Sequence, residues 1–421
     1  MGKNVVGRVS KLVAGLVAVA MVLAIAGCSS RSGGGQAGTK SGEKVIKIGA
    51  AVSMSGSLSN EGKLVKDAYD LWQSYVNDNG GIEVGGQKYK VNIIFYDDKS
   101  DAQTSAKLTE KLITEDGAKF ILGPFSSGIT QATSRIGEKY GVVTMASLAN
   151  ADSLYEAGLK YLFSPLARNS TKLNGAIDML STLNPKPQTV GIVTPDDLAP
   201  LAMANGAKKY AESKGLNIVY FGKFPKGAQD ISSIVTELKQ KNPDVIFETG
   251  YLEDSLLVVR ALKDLRVSPK LLVFPTAPVY PGFIKSLKAD AEYVTVAQWW
   301  TPQMKWKDPV FGANENFVKL FRDRLKYEPT DQNAAAAATA VVLEVALQKA
   351  GTVDDAAKVQ AALRNLDVET LLGRVKFDEK NMNSFGRAGV SQVQDGKITM
   401  IYPKQEGAQP IRYPTPAWDK R

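Results

Sequence analysis

Two kinds of side chain able to hold a charged solute sit in this sequence where a strand gives way to a helix. In Ile121-Leu-Gly-Pro-Phe-Ser-Ser-Gly-Ile-Thr130 an apolar run ends at Gly123-Pro124, and Ser126 and Ser127 follow where a helix starts. The hydroxyls and free N–H groups of a helix start can jointly receive a carboxylate. The same serines can serve as N-caps with no ligand at all. Asp97-Asp98 closes another strand, where paired carboxylates suit a cation, a solvated strand end or a helix cap.

The chain has no histidine and a single cysteine, Cys28. Ser-His-Asp and Cys-His arrangements, histidine acid-base chemistry and the common zinc sites are therefore out of reach. Gly33 to Gly38 spells G-x-G-x-x-G, but no strand precedes it and no helix follows, as a phosphate cradle requires. Ser41-Gly-Glu-Lys44 matches S-x-x-K without its S-D-N or K-T-G partners and reads as coincidence. Most hydrolase readings end here, and no catalytic residue, metal or cofactor is expected.

Lys3, Arg8 and Lys11 precede an uncharged apolar run from Leu12 to Ala26, and Ile25-Ala-Gly-Cys28 ends it. A basic start, an apolar stretch and a small-residue cut site make a signal peptide over 1–27. The run is too short for the roughly 20 residues of a spanning helix. The tetrapeptide resembles the lipobox of bacterial lipoproteins, which implies a lipid on Cys28 and a membrane-anchored protein facing the periplasm or cell exterior. Residues 28–44, rich in Ser, Gly, Lys and Gln, read as a flexible tether. Three units of the formal +9 charge lie in the leader. The rest is scattered over lysine-bearing helices with no arginine-rich block, which does not suit nucleic acid.

From Val45 onward, short β runs alternate with amphipathic helices. Strands are expected at Val45 to Val52, Lys90 to Tyr96, Phe120 to Leu122 and Val142 to Met145, with helices at Glu61 to Asn79, 102 to 115 and from Ser127. A second series runs through strands at Thr189 to Val193, Asn217 to Phe221, Val245 to Glu248, Leu271 to Phe274 and Tyr293 to Gln298. Its helices fall at 201 to 214, 230 to 240 and 254 to 265. Helices at 313 to 326, 333 to 350 and 354 to 366 follow, then a hairpin turning at Asp395-Gly396. Two βα series predict two α/β lobes, each a parallel sheet covered on both faces.

The chain resembles the solute-binding proteins of hydrophobic amino-acid and amide ABC importers, the group of the leucine/isoleucine/valine-binding protein. The matching stretches are Ile46-Lys-Ile-Gly49, Met54-Ser-Gly56, Val76-Asn-Asp-Asn-Gly-Gly-Ile82, Tyr96-Asp-Asp98, Ile121-Leu-Gly-Pro124 with Ser127, and Gly373-Arg-Val-Lys-Phe-Asp378. The resemblance implies a type I periplasmic binding protein, with two doubly wound parallel-sheet lobes joined by three hinge crossovers. Lobe one would take 45–165 plus 296–372, and lobe two 166–295 plus 373–421. It further implies a monomer that captures an amino acid or related small carboxylate and delivers it to a membrane permease and its ATPase. A sensor reporting to a membrane signalling partner is the other role such lobes serve.

By the same resemblance Ser127 would bind the ligand carboxylate, with Asn150 donating beside it and Leu148 offering its carbonyl to an ammonium. In Gly250-Tyr-Leu-Glu-Asp254, Tyr251 would line the site and Glu253 or Asp254 would pair with an amino group. An acid at a helix start is also favourable with no ligand. Glu61 and Ala199 stand where relatives carry other residue types, so leucine-like specificity does not transfer. Trp299 and Trp300 would supply a replacement wall or pack the hinge.

Overall fold

The computed structural model describes residues 44–404 and 406–421. The leader, Cys28, the tether up to residue 43 and the two coincidental motifs, Lys44 excepted, lie outside the described residues.

The first lobe opens with β1 (Val45–Val52), α1 (Ser59–Asp78), β2 (Ile82–Val84), β3 (Gln87–Asp97) and α2 (Ala102–Thr114). It continues through β4 (Phe120–Leu122), α3 (Ser127–Tyr140), β5 (Thr144–Met145), α4 (Asp152–Glu156) and β6 (Leu162–Phe163). These strands form one sheet in the order β2-β3-β1-β4-β5-β6, with β1 parallel to both β3 and β4. β2 is antiparallel to β3 across Gly85-Gly86, where both φ angles are positive, a conformation glycine takes without strain.

The second lobe holds α5 (Asn174–Leu180), β7 (Thr189–Pro195), α6 (Leu198–Ser213), β8 (Asn217–Phe224), α7 (Ser232–Lys241) and β9 (Val245–Glu248). It then runs through α8 (Leu252–Asp264), β10 (Leu271–Phe274), α9 (Pro281–Leu287) and β11 (Thr295–Gln298). Every residue of β9 and β10 is buried, which is why these strands read as continuous apolar runs without alternation. After β11 come the short pair β12 (Lys307–Asp308) and β13 (Gly312–Ala313), then helices α10 (Asn314–Leu325), α11 (Asp331–Ala350) and α12 (Ala356–Arg364). The hairpin β14 (Asp367–Thr370) and β15 (Gly373–Lys376) precedes β16 (Gly389–Gln394) and β17 (Lys397–Tyr402).

The second sheet has the order β17-β16-β11-β10-β9-β7-β8. Its β16 and β17 run antiparallel, so the all-parallel expectation holds for its centre and fails at that edge. Asp395 and Gly396 both take positive φ between β16 and β17, as a tight Asp-Gly hairpin requires. The expected lobe boundary at 295/296 falls inside β11, which belongs whole to the second sheet, so the chain leaves that sheet after Gln298. The boundary at 372/373 falls in the turn of the β14-β15 pair, which joins neither large sheet.

Helix α11 is buried at every position from Asp331 to Leu347, as its Ala334 to Ala338 run permits. It packs on α1, where the Trp72 indole N–H donates to Glu344 Oε2 at 2.8 Å. Both sheets reverse their winding direction once, between β1 and β4 and between β7 and β9. In open α/β sheets the crevice at such a switch point, beyond the strand C-termini, is where ligands sit. Phe125 to Ser127 follow β4, Ala199 lies beyond β7, and Thr249 to Tyr251 follow β9.

Candidate functional site

A small cavity of about 30 Å3 lies where the two switch points meet. Phe125, Leu148, Asn150, Asp331 and Gln332 line it from lobe one; Lys172, Ala199, Tyr251, Thr276 and Trp299 line it from the other side. A larger groove of about 1240 Å3 runs along the crossovers past Arg168, Asp178, Trp306 and Tyr402. It lies at the β11-β16-β17 edge of the second sheet, away from both switch points, and the small cavity is the better candidate because both switch points open onto it.

The lobes touch through specific contacts around this cavity. The rings of Phe125 and Tyr251 meet edge-on with centroids 5.3 Å apart. Across the cleft the Leu252 N–H, at the start of α8, donates to Glu61 Oε1 at 3.4 Å. Glu61 is buried, and the loss of water raises its carboxyl to about 7. Glu248, at the end of β9, is raised further, to about 8, by its own burial and by the nearby charge of Asp254. Asp197 caps α6 by accepting from the Leu198 N–H at 2.7 Å and pairs with Lys226 at 2.8 Å. A Cβ added to Gly128 would lie 3.2 Å from that carboxylate, so the start of α3 and the start of α6 are nearly in contact.

Of the residues expected at the site, Leu148, Asn150, Tyr251 and Trp299 line the cavity. Asn150 donates through its side-chain amide to the Ala167 carbonyl, and its backbone carbonyl accepts from the Asn169 N–H at 2.9 Å. The Leu148 carbonyl accepts from the Asn150 N–H at 3.1 Å. Ser127 is buried beside the cavity without lining it, and its hydroxyl accepts from the Ala151 N–H at 3.2 Å. Ser126 is the N-cap of α3 and accepts from the Ile129 N–H. Asp254 accepts from the Tyr251 N–H at 3.1 Å within its own helix start, and Glu253 is exposed. Trp300 is buried behind the wall, its indole donating to Asn314 Oδ1 at 2.7 Å and its ring edge-on to Phe317. Asp97 and Asp98 tie the turn after β1 to the turn after β3, accepting from Met54, Ser55, Ser53 and Ser100.

Sequence reasoning did not single out Lys172, Asp331 and Gln332. Lys172 Nζ lies 3.4 Å from Asp331 Oδ2 and 4.6 Å from the centroid of the Trp299 ring. Both members of the pair are nearly inaccessible, at 5% and 2% side-chain exposure. Burial lowers the Lys172 ammonium to about 8 and raises the Asp331 carboxyl, while their mutual attraction opposes both shifts. Asp331 Oδ2 also accepts from the Trp299 N–H at 3.4 Å. Asp331 Oδ1 and Gln332 Oε1 have no hydrogen-bond partner among the described residues. The sequence pattern starts this helix at 333, whereas Thr330 with Asn333 forms the capping box of α11, which begins at Asp331.

The arrangement offers charged and amide groups in a buried crevice between the two sheets. Among the described residues no group of three or more acidic, cysteine or histidine side chains is placed to hold a metal ion. The family model of the periplasmic binding proteins matches residues 45–397. The chain is 27% identical over 389 residues to Leu/Ile/Val-binding protein homolog 8 of Brucella abortus (strain 2308), covering 87% of this chain and 93% of that protein. The branched-chain amino acid transporter substrate binding protein LivJ of Streptococcus pneumoniae, solved with isoleucine, superposes with a TM-score of 0.72 at 22% identity, covering 86% of this chain and all of that one. A solute binding protein of an ABC transporter from R. palustris, solved with benzoate, superposes at 0.71 with 19% identity, covering 86% of this chain and 99% of that one. With two doubly wound lobes meeting at their switch points and a family match spanning most of the folded residues, the chain belongs to the periplasmic binding protein family.

Proposed function

We propose that this chain is the solute-binding subunit of an ABC importer, an exported lipoprotein that captures an amino acid or related small carboxylate between two closing lobes. It would pass the solute to a membrane permease driven by its ATPase. The observation that carries this reading is the cavity where Phe125, Asn150 and Asp331 of one lobe face Tyr251, Lys172 and Trp299 across the cleft. At about 30 Å3 the space has room for about one or two waters, so a solute enters only if the lobes separate. A hinge opening about the three crossovers does this without bond chemistry. Relatives named for leucine, isoleucine and valine, and neighbours solved with isoleucine or benzoate, support the solute class. On this reading lobe one takes residues 45–165 and the helical stretch beyond the second crossover, which we place after Gln298.

Mass spectrometry of small molecules released when the purified protein is denatured tests the proposal. An amino acid or small organic acid is expected at close to one per chain, and adding it back should raise Tm, since a ligand of the folded state alone stabilises it. If nothing is released and no amino acid or small carboxylate shifts Tm, the reading falls.

The anchor is tested separately. Cys28→Ser is expected to move the protein from the membrane fraction to the aqueous fraction, because one lipidated end is its expected hold on the bilayer. Among the described residues no helix is long and apolar enough to cross a membrane. Unchanged membrane partition of the variant would refute lipidation at Cys28.

A further inference from the structure

We propose that Lys172, Asp331 and Gln332 form the polar end of the solute site and read an α-amino acid as a zwitterion. The Lys172 ammonium takes the carboxylate, and Asp331 Oδ1 with Gln332 Oε1 takes the α-ammonium. The inference rests on the solute-binding role proposed above and narrows it from small carboxylates in general to amino acids.

The pair spans the cleft. Asp331 is the first residue of α11, which packs on α1 of lobe one, whereas Lys172 follows a short 3-10 turn that packs against α6 of lobe two. A lysine ammonium has three N–H donors and no acceptor. Here its carboxylate contact is long, 3.4 Å, and its other close neighbour is the face of Trp299. Donor capacity remains for an anion that enters the cavity, and such a bond is strengthened by charge.

The acceptors point to the second group. Asp331 Oδ1 and Gln332 Oε1 are both buried, both belong to residues lining the cavity, and both lack a partner among the described residues. Buried polar atoms are nearly always hydrogen-bonded, so two acceptors without donors on one cavity mark a place for N–H groups. An ammonium supplies up to three. An aromatic or aliphatic acid lacking an amino group satisfies Lys172 but sets its negative charge near Asp331 and brings no donor. A zwitterion is neutral overall and leaves the buried site with balanced charge on both sides. Of the residues that the family resemblance proposes for these tasks, neither Ser127 nor Asp254 lines the cavity.

The test is calorimetric titration of the mature protein with L-leucine, L-isoleucine and L-phenylalanine, each beside its counterpart without the amino group (isocaproate for leucine, 3-methylpentanoate for isoleucine, hydrocinnamate for phenylalanine), and with benzoate. At least one amino acid is expected to bind, with its des-amino counterpart weaker by about 100-fold or more, because a site built for a donor rejects a solute without it. Asp331→Asn is expected to weaken the amino acid by about 10-fold or more while binding the des-amino acid as tightly as before or more tightly, since the variant removes the charge that repels it. Gln332→Leu, which leaves the ion pair intact, should show the same selective loss and serves if the first variant does not fold. A des-amino acid or benzoate binding as tightly as the amino acid, or both variants keeping full amino-acid affinity, overturns the inference while the solute-binding role stands. If no solute binds and none is released on denaturation, the role itself fails and the inference with it.

Discussion

Gly62→Ala is expected to remove about 3 kcal/mol or more of folding stability, enough to lower Tm sharply and deplete the folded protein in cells. Gly62 lies in the first turn of α1, where its N–H donates to the Leu58 carbonyl at 2.8 Å. A Cβ placed there would sit 1.8 Å from the Ser53 carbonyl oxygen and 2.6 Å from its carbon. The obstacle is backbone, so no side-chain rotation relieves it; the start of α1 must back away from the end of β1. That shift pulls on two features of the cleft. Glu61 is the neighbouring residue and reaches Leu252 of the other lobe, and the Ser53 hydroxyl donates to Asp98 Oδ1 at 2.7 Å. Gly282→Ala is the control. It lies in α9, where an added Cβ meets only Leu252 Cδ2 at 3.4 Å, and alanine in a helix is neutral to stabilising by about 0.5–1 kcal/mol. Thermal denaturation of both variants decides the point; a Gly62→Ala protein with the wild-type Tm would refute the rigid contact.

Elements made of consecutive apolar residues were legible in the sequence because burial on both faces leaves a continuous run. Val45 to Val52, Phe120 to Leu122, Val245 to Glu248 and Leu271 to Phe274 match β1, β4, β9 and β10 at both ends. The two-residue β12 and β13 and the exposed β14-β15 hairpin carry too few residues to show a period. The family resemblance points to Leu148, Asn150, Tyr251 and Trp299, which line the cavity, and does not single out Phe125. The partners of polar atoms depend on which loops the fold brings together. Ser126 and Asp254 looked like ligand groups and serve as helix caps, an ambiguity that composition cannot remove. Lys172 and Asp331 are 159 positions apart, and no local pattern foretells their pairing. Glu61, read in the sequence only as a departure from the relatives' pattern, is buried and accepts from the Leu252 N–H of the second lobe.

The buried acids make the fold more stable in mild acid than in mild base. Burial raises Asp308 to about 6, Glu61 and Glu344 to about 7 and Glu248 to about 8, all above their unfolded values. A raised carboxyl binds its proton more tightly when folded. Its stabilisation is complete below the unfolded value near 4.5 and is lost as pH rises through the folded value. Asp97 and Asp244 are lowered and act in the opposite sense, but only where pH falls below the ordinary carboxylate range. Lys172, lowered to about 8, also acts oppositely, above that pH. Between about pH 5 and pH 8 the raised acids dominate, and each extra folded-state proton changes stability by about 1.4 kcal/mol per pH unit. Tm is therefore expected to be higher at about pH 5.5 than at about pH 8.5, with a difference on the order of several kcal/mol in stability. Glu248→Gln isolates one contribution. Its amide oxygen can accept from the Gly250 N–H as Glu248 Oε1 does, and its NH2 can donate to the Ser255 hydroxyl, so the fold keeps both links. The variant should lose about one proton's share of the slope and be the more stable protein at the alkaline end. A Tm that is flat across this range, or a Glu248→Gln protein with the full wild-type slope, would show that these carboxyls are already ionised in the folded state and that the cleft is wetter than its packing implies.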